Sequence, residues 1–202
     1  MILAIDSSSA ACTAALIGPG GDLVGERHED IGRGHAERLM PMIADLVEGH
    51  VPTRILVGVG PGSFTGLRVA LAAAHGMAIG WAIPLCGVDS LALAAAGAEA
   101  RGPVGVAMIG GHGEWFVAQY DAALGVTLSA RSLTPDAAAA MVDAYVIVGS
   151  AAQALVDLRG SGTAAALVPR AALVMRLPLT LRSLDPRPVY ARAPDAKPLV
   201  MA

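Results

Sequence analysis

Aromatic side chains are scarce in this chain: Phe, Trp and Tyr make up 3% of 202 residues, whereas apolar residues as a whole reach 54%. A core without aromatic bulk has to close with Ala, Val, Leu, Ile and Met, by close approach of small side chains. Charge is sparse as well, at 15%. Few charges with many apolar residues exclude a disordered chain. Only two cysteines occur, Cys12 and Cys86, far apart, in apolar contexts and in no C-x-x-C pair. That predicts two buried free thiols in a reducing, cytoplasmic setting. No basic segment followed by an apolar stretch opens the sequence, so no secretory leader is expected. The longest uncharged run, residues 69–88, has the length of a membrane span. It contains His75, Pro84, three glycines and six alanines, and its end reads as a strand, so no span is expected.

Present instead is a dense glycine turn, Gly58-Val59-Gly60-Pro61-Gly62-Ser63-Phe64-Thr65-Gly66-Leu67-Arg68, between a strand-like run and an Ala-rich helical run. Glycines let another backbone come close. Ser63 and Thr65 can cap the helix that follows. A helix N-terminus behind such a turn is an anion site in general, yet the known phosphate loops fail on residue identity. Leu67 and Arg68 follow Gly66 where a P-loop needs Lys and then Ser or Thr. The third glycine of a dinucleotide fingerprint would fall on Ser63 or Thr65. The turn therefore either holds a phosphate in another way or shapes a surface.

Hydrophobic patterning predicts strands at 2–5, 11–17 and 23–28, a helix at 35–48, a strand at 55–59, a helix at 64–82, a short strand near Leu85 and a helix at 90–100. Pro41 fits the first of these helices only within its first turn. This β-β-β-α-β-α-β-α order is ribonuclease-H-like. Arg101-Gly102-Pro103 marks a boundary, giving an N-terminal lobe over 1–101 and a smaller C-terminal lobe over 102–202 with a Pro-rich tail. In the second lobe strands are expected at 104–109, 115–121, 126–133 and 145–148, with helices at 135–142, 150–158 and 170–176. Net charge is −3 but uneven: 7 basic and 14 acidic side chains in 1–150, against 7 and 3 in 151–202. A basic tail can touch RNA phosphates. Here only Tyr190 offers a stacking surface, and scattered surface arginines are the preferred reading.

Several words, in order, carry a resemblance: Ile2-Leu3-Ala4-Ile5-Asp6-Ser7-Ser8, His35-Ala36-Glu37-Arg38-Leu39-Met40-Pro41, the Gly60 to Arg68 turn, Ile83-Pro84-Leu85-Cys86-Gly87-Val88-Asp89-Ser90-Leu91, and Pro188-Val189-Tyr190-Ala191-Arg192. Together they resemble the TsaB (YeaZ) family over nearly the whole chain. The resemblance implies an α/β fold of two ribonuclease-H-like lobes of the actin, Hsp70 and sugar-kinase ATPase class, the second lobe reduced. It implies a non-catalytic partner of the transferase subunit TsaD. With the ATPase TsaE, the two would install threonylcarbamoyl on the adenosine next to the anticodon of ANN-decoding tRNAs. tRNA would be met through the complex. The isolated chain would pair with itself.

Catalytic chemistry is thin. Asp6, with Ser8 and Ser9 after it, stands where ATPases of this fold hold a metal–phosphate acid. The turn there is Ser-Ser-Ser-Ala-Ala, without the glycine that admits a phosphate, so the site reads as vestigial. The alternative for Asp6 is an acid bonded to nearby hydroxyls and amides. His35 has Leu39 at i+4 in place of a second histidine, which excludes a metal pair. Ser63 lacks the G-x-S-x-G elbow, and no His–Asp set accompanies it. A stand-alone ATPase or kinase, and a peptidase of the M22 type, are the remaining alternatives. No intrinsic cofactor is expected; ATP or ADP is expected, if at all, at an interface shared with partners. A partner surface is the positive reading, because Ala and Gly occur nearly all round the 64–82 helix and no charge lies between Arg68 and Asp89. Its expected residues are His35, Glu37, Leu39, Phe64, Thr65, Leu67, Arg68, Ala70, Leu71, Ala74 and Met77.

Overall fold

In the computed structural model, which describes residues 1–191, two five-stranded sheets are stacked with helices outside and between them. The first sheet comprises β1 (Ile2–Asp6), β2 (Ala11–Ile17), β3 (Leu23–Asp30), β4 (Arg54–Gly60) and β5 (Leu85–Asp89), in spatial order β3-β2-β1-β4-β5. β1 is central, antiparallel to β2 and parallel to β4. Both of its faces are covered, which is why it reads as a continuous apolar run. The second sheet is built from β6 (Val104–Ile109), β7 (Trp115–Tyr120), β8 (Val126–Leu133), β9 (Val146–Val148) and β10 (Thr163–Ala165). Its order, β10-β9-β6-β7-β8, is that of the first sheet repeated.

α1 (His35–Leu46) and α2 (Phe64–Trp81) cover the outer face of the first sheet. α4 (Pro135–Met141) and α5 (Ala152–Arg159) cover the outer face of the second. Between the sheets lies α3 (Ser90–Ala95), all six of whose residues are buried. Its alanines let both sheets approach, and Ala4, Leu56 and Ala15 of the first sheet share one apolar core with Val106, Ala118 and Tyr120 of the second. That core is the physical answer to the shortage of aromatic bulk.

Several expectations need correction. Pro41 sits in the interior of α1, not its first turn. Its position is exposed, as is Glu37, whose carbonyl it cannot serve. The 90–100 helix stops at Ala95. The last expected helix is a 3-10 helix, Ala171–Arg176, followed by a four-residue α6, Leu179–Arg182. β10 was not foreseen. Cys12 is buried as expected, but Cys86 is only half-buried, and both are free. The 3-10 helix packs against β1 and β2, and α6 against β5. A division at residue 101 therefore assigns to the second lobe segments that lie on the first. Arg192 and the prolines beyond it fall outside the described residues. No helix among the described residues is long and apolar enough to cross a membrane.

Candidate functional site

The glycine turn and the serine turn are built into each other. The Ser63 N–H donates to the Ser8 carbonyl at 2.7 Å, and the Ser7 hydroxyl donates to the Gly66 carbonyl at 2.8 Å. A methyl group at Gly62 would run into the Ser8 carbonyl, one at Gly66 into the Ser7 carbonyl, and one at Gly58 into the Asp6 carboxylate. The glycines thus make room for the chain's own backbone, in the place where a phosphate loop would make room for a ligand. Gly60 has φ 97°, and the Gly60–Pro61 peptide is cis. Ser63 caps α2 by accepting from the Gly66 N–H at 3.2 Å; Thr65 lies inside the helix and is exposed.

Asp6 ends β1 with no exposed surface. One carboxylate oxygen accepts from the Ser8 N–H at 2.8 Å and the Ser8 hydroxyl at 2.7 Å, the other from the Ser90 hydroxyl at 2.6 Å. Ser90 in turn accepts from the Gly60 N–H at 3.0 Å. Burial pushes the Asp6 carboxyl above its ordinary value of 3.8, against the lowering effect of Ser90 and Ser8. Asp6 is therefore a knot joining β1, β4 and the start of α3. Ser8 and Ser9 are nearly buried and reach the floor of a cleft between the lobes, of about 790 Å³. Arg68, Phe64 and Tyr190 line its mouth, with Gly110 to His112 opposite. No carboxylate of the described residues lines it. No group of three His, Cys, Asp or Glu among them is placed to hold a metal ion.

His35 opens α1 with its ring buried and its Nε2 3.0 Å from the Ser9 carbonyl. It orients the helix on the serine turn. Of the expected surface residues, Glu37, Phe64, Thr65 and Arg68 are exposed and Met77 is half-buried. His35, Leu39, Leu67, Ala70, Leu71 and Ala74 are buried within this chain and cannot present a docking surface. Ala70 and Ala74 are 0% exposed because their side of α2 packs on the chain's own first sheet. The outward face is instead Thr65, Arg68, Ala72, His75, Gly76, Ile79 and Gly80. Ile79 is 81% exposed, and methyl groups at Gly76 and Gly80 would meet nothing. Ala72 and Ile79 were not singled out from sequence, although the helical period that buries 67, 70, 71 and 74 points them outward.

A second aromatic-lined feature was also missed. Tyr190 stacks on Phe64 with ring centroids 5.7 Å apart, and the Arg68 guanidinium lies 3.7 Å over the Phe64 ring. In the second lobe, Glu114 follows the glycine hairpin and accepts from the Ser132 hydroxyl at 2.6 Å, which ties β8 to that hairpin.

A sequence-family model described as TsaD, tRNA N6-adenosine threonylcarbamoyltransferase, matches residues 27–158. The tRNA threonylcarbamoyladenosine biosynthesis protein TsaB of Escherichia coli is 40% identical over 102 residues, 48% of this chain and 43% of that protein. The match thus spans less than half the length of that relative. An uncharacterized protein of Mycobacterium tuberculosis is 35% identical over 227 aligned residues, covering 99% of this chain and 95% of its own. Among solved structures, YeaZ from Pseudomonas aeruginosa superposes with a TM-score of 0.79 at 27% identity, covering 94% of this chain and 98% of that one. A Pseudomonas aeruginosa protein described as similar to the peptidase YeaZ gives 0.80 at 28%, covering 95% and 99%.

Proposed function

The chain belongs to the TsaB (YeaZ) family, and from that premise we propose that it is a non-catalytic scaffold and activator in tRNA threonylcarbamoyladenosine formation. It binds the transferase subunit TsaD through α2 and helps create a docking place for TsaE. The observation that carries this reading is the outward face of α2. Ala72, Gly76, Ile79 and Gly80 form an uncharged strip on an exposed helix, where a helix facing water carries charge. Small side chains let a second helix approach closely, and the gain is dispersion over a broad contact. In the absence of TsaD the same strip serves a second copy of the chain.

Asp6 supports the non-catalytic part. Its oxygens are taken up by Ser8 and Ser90, and no carboxylate of the described residues lines the cleft. These residues fit a magnesium-bound nucleotide poorly, so ATP or ADP is assigned to the interface shared with the partners. Light scattering on chromatographed mixtures with TsaD of the same organism tests the reading. A one-to-one complex is expected, lost in Ile79→Asp. Failure of the wild-type chain to associate, with or without nucleotide, overturns it in favour of nucleotide turnover by the chain alone.

A further inference from the structure

After α6, already on the first lobe, the chain continues across that lobe along one flank of α2. Leu184 forms a two-way bridge with Gly87 on β5, its carbonyl accepting from the Gly87 N–H at 2.7 Å and its N–H donating to the Gly87 carbonyl at 3.0 Å. The Val189 N–H donates to the Val59 carbonyl at 2.8 Å. His75 on α2 donates from Nε2 to the Pro186 carbonyl at 3.0 Å. The seat is cut to fit. A methyl group at Gly87 would lie 2.7 Å from the Asp185 carbonyl oxygen, and one at Gly60 3.1 Å from that of Val189. The segment ends with Tyr190 on Phe64, its hydroxyl 3.4 Å from Arg68 Nε.

We infer that residues 184–190 are a strap that sets up the docking face of α2, with Tyr190 as a positioning residue for Arg68. The inference rests on the partner-binding reading above and adds its mechanism. Sealing the open edge of β5 would account for the Leu184 bridge. It would not account for the cluster of Phe64, Arg68 and Tyr190, in which all three side chains are exposed. What the cluster does is hold a guanidinium. Arg68 is fixed over one ring and against the hydroxyl of another, while its two Nη groups bond to no described residue. A long side chain ordered in advance loses less entropy when a partner arrives. Arg and aromatic residues are also the types that dominate binding energy at interfaces. The guanidinium so held suits a carboxylate of the transferase subunit beside the apolar strip.

The test measures the affinity of the full-length chain for that subunit by titration calorimetry, alongside thermal melting of the chain alone. Tyr190→Ala is expected to weaken binding about fivefold to tenfold with little change in melting, because Arg68 loses the hydroxyl that meets its Nε and Phe64 loses the ring beside it. Tyr190→Phe, which keeps the ring beside Phe64 but loses the hydroxyl that meets Arg68, should weaken binding by part of that amount, about twofold to fivefold. Arg68→Ala should weaken binding as much as Tyr190→Ala, and the double variant no more than either; Arg68→Ala alone carries the test should Tyr190→Ala not fold. Wild-type affinity in Tyr190→Ala or Arg68→Ala, with Ile79→Asp inactive, overturns the strap alone. No binding by the wild-type chain overturns the partner reading and the strap with it.

Discussion

Gly58, Gly62 and Gly66 face Asp6, Ser8 and Ser7 across a gap that admits no side chain. Gly62→Ala or Gly66→Ala should therefore cost about 1–3 kcal/mol or more by overpacking against backbone that cannot yield, seen as a lower midpoint in urea with partner binding reduced only in proportion. Asp6 gives a pH signature. Burial raises its carboxyl above 3.8, and half-buried Asp89 is raised for the same reason. A carboxyl raised in the folded state contributes stability that is full below the unfolded value and is lost as pH rises through the folded value. Asp6→Asn should thus gain on wild type as pH rises from about 4 to 7. Denaturation across that window checks it; a constant difference would mean that Asp6 stays ionised. Modification activity should be nearly intact in this variant. The sequence marked the glycine turn as a place of close approach and offered hydrogen-bonded hydroxyls as one reading of Asp6. Which backbone fills a glycine's space is settled by tertiary packing between Ser7–Ser8 and residues some fifty positions away, which no local pattern encodes.

At the scale of elements, α2 divides cleanly into a sheet-facing side and an outward side. Ala74→Arg places a charge at a position with 0% exposure and should unfold or aggregate the chain. Ala72→Arg, two positions earlier and on the opposite side of the helix, should leave melting unchanged and abolish association with TsaD in the same chromatography. The strands and long helices were legible because their periods are strong. Residues 11–17 and 126–133 read as strands and are β2 and β8. β10 escaped because three residues, Thr163–Ala165, preceded by Gly162 and followed by Ala166, make no period at all; their pairing with β9 supplies what their composition does not. The buried side of α2 was mistaken for a docking side because Ala serves close packing equally well within a lobe and between proteins.

At the scale of the whole molecule, the two sheets share a core, and a part-buried polar contact also joins them. The Tyr120 hydroxyl on the second sheet donates to Asp89 at the start of α3, at 3.1 Å. Burial and Asp89 keep Tyr120 neutral by raising it well above its ordinary 10, so the donor is present at any working pH. Tyr120→Phe should cost about 1 kcal/mol, and calorimetry should show one transition in both proteins, because the shared core leaves neither sheet complete alone. The placement of the 3-10 helix, α6 and the strap on the first sheet has a consequence for synthesis. About 95 residues separate the end of α3 from Tyr190, so on a ribosome moving at roughly 5–20 residues per second the first sheet waits roughly 5–20 s for its last covering. Until then β5 is an open edge of the kind that other chains pair with. A nascent product cut short before residue 171 keeps that edge for good, which makes premature termination of this chain a route to aggregation.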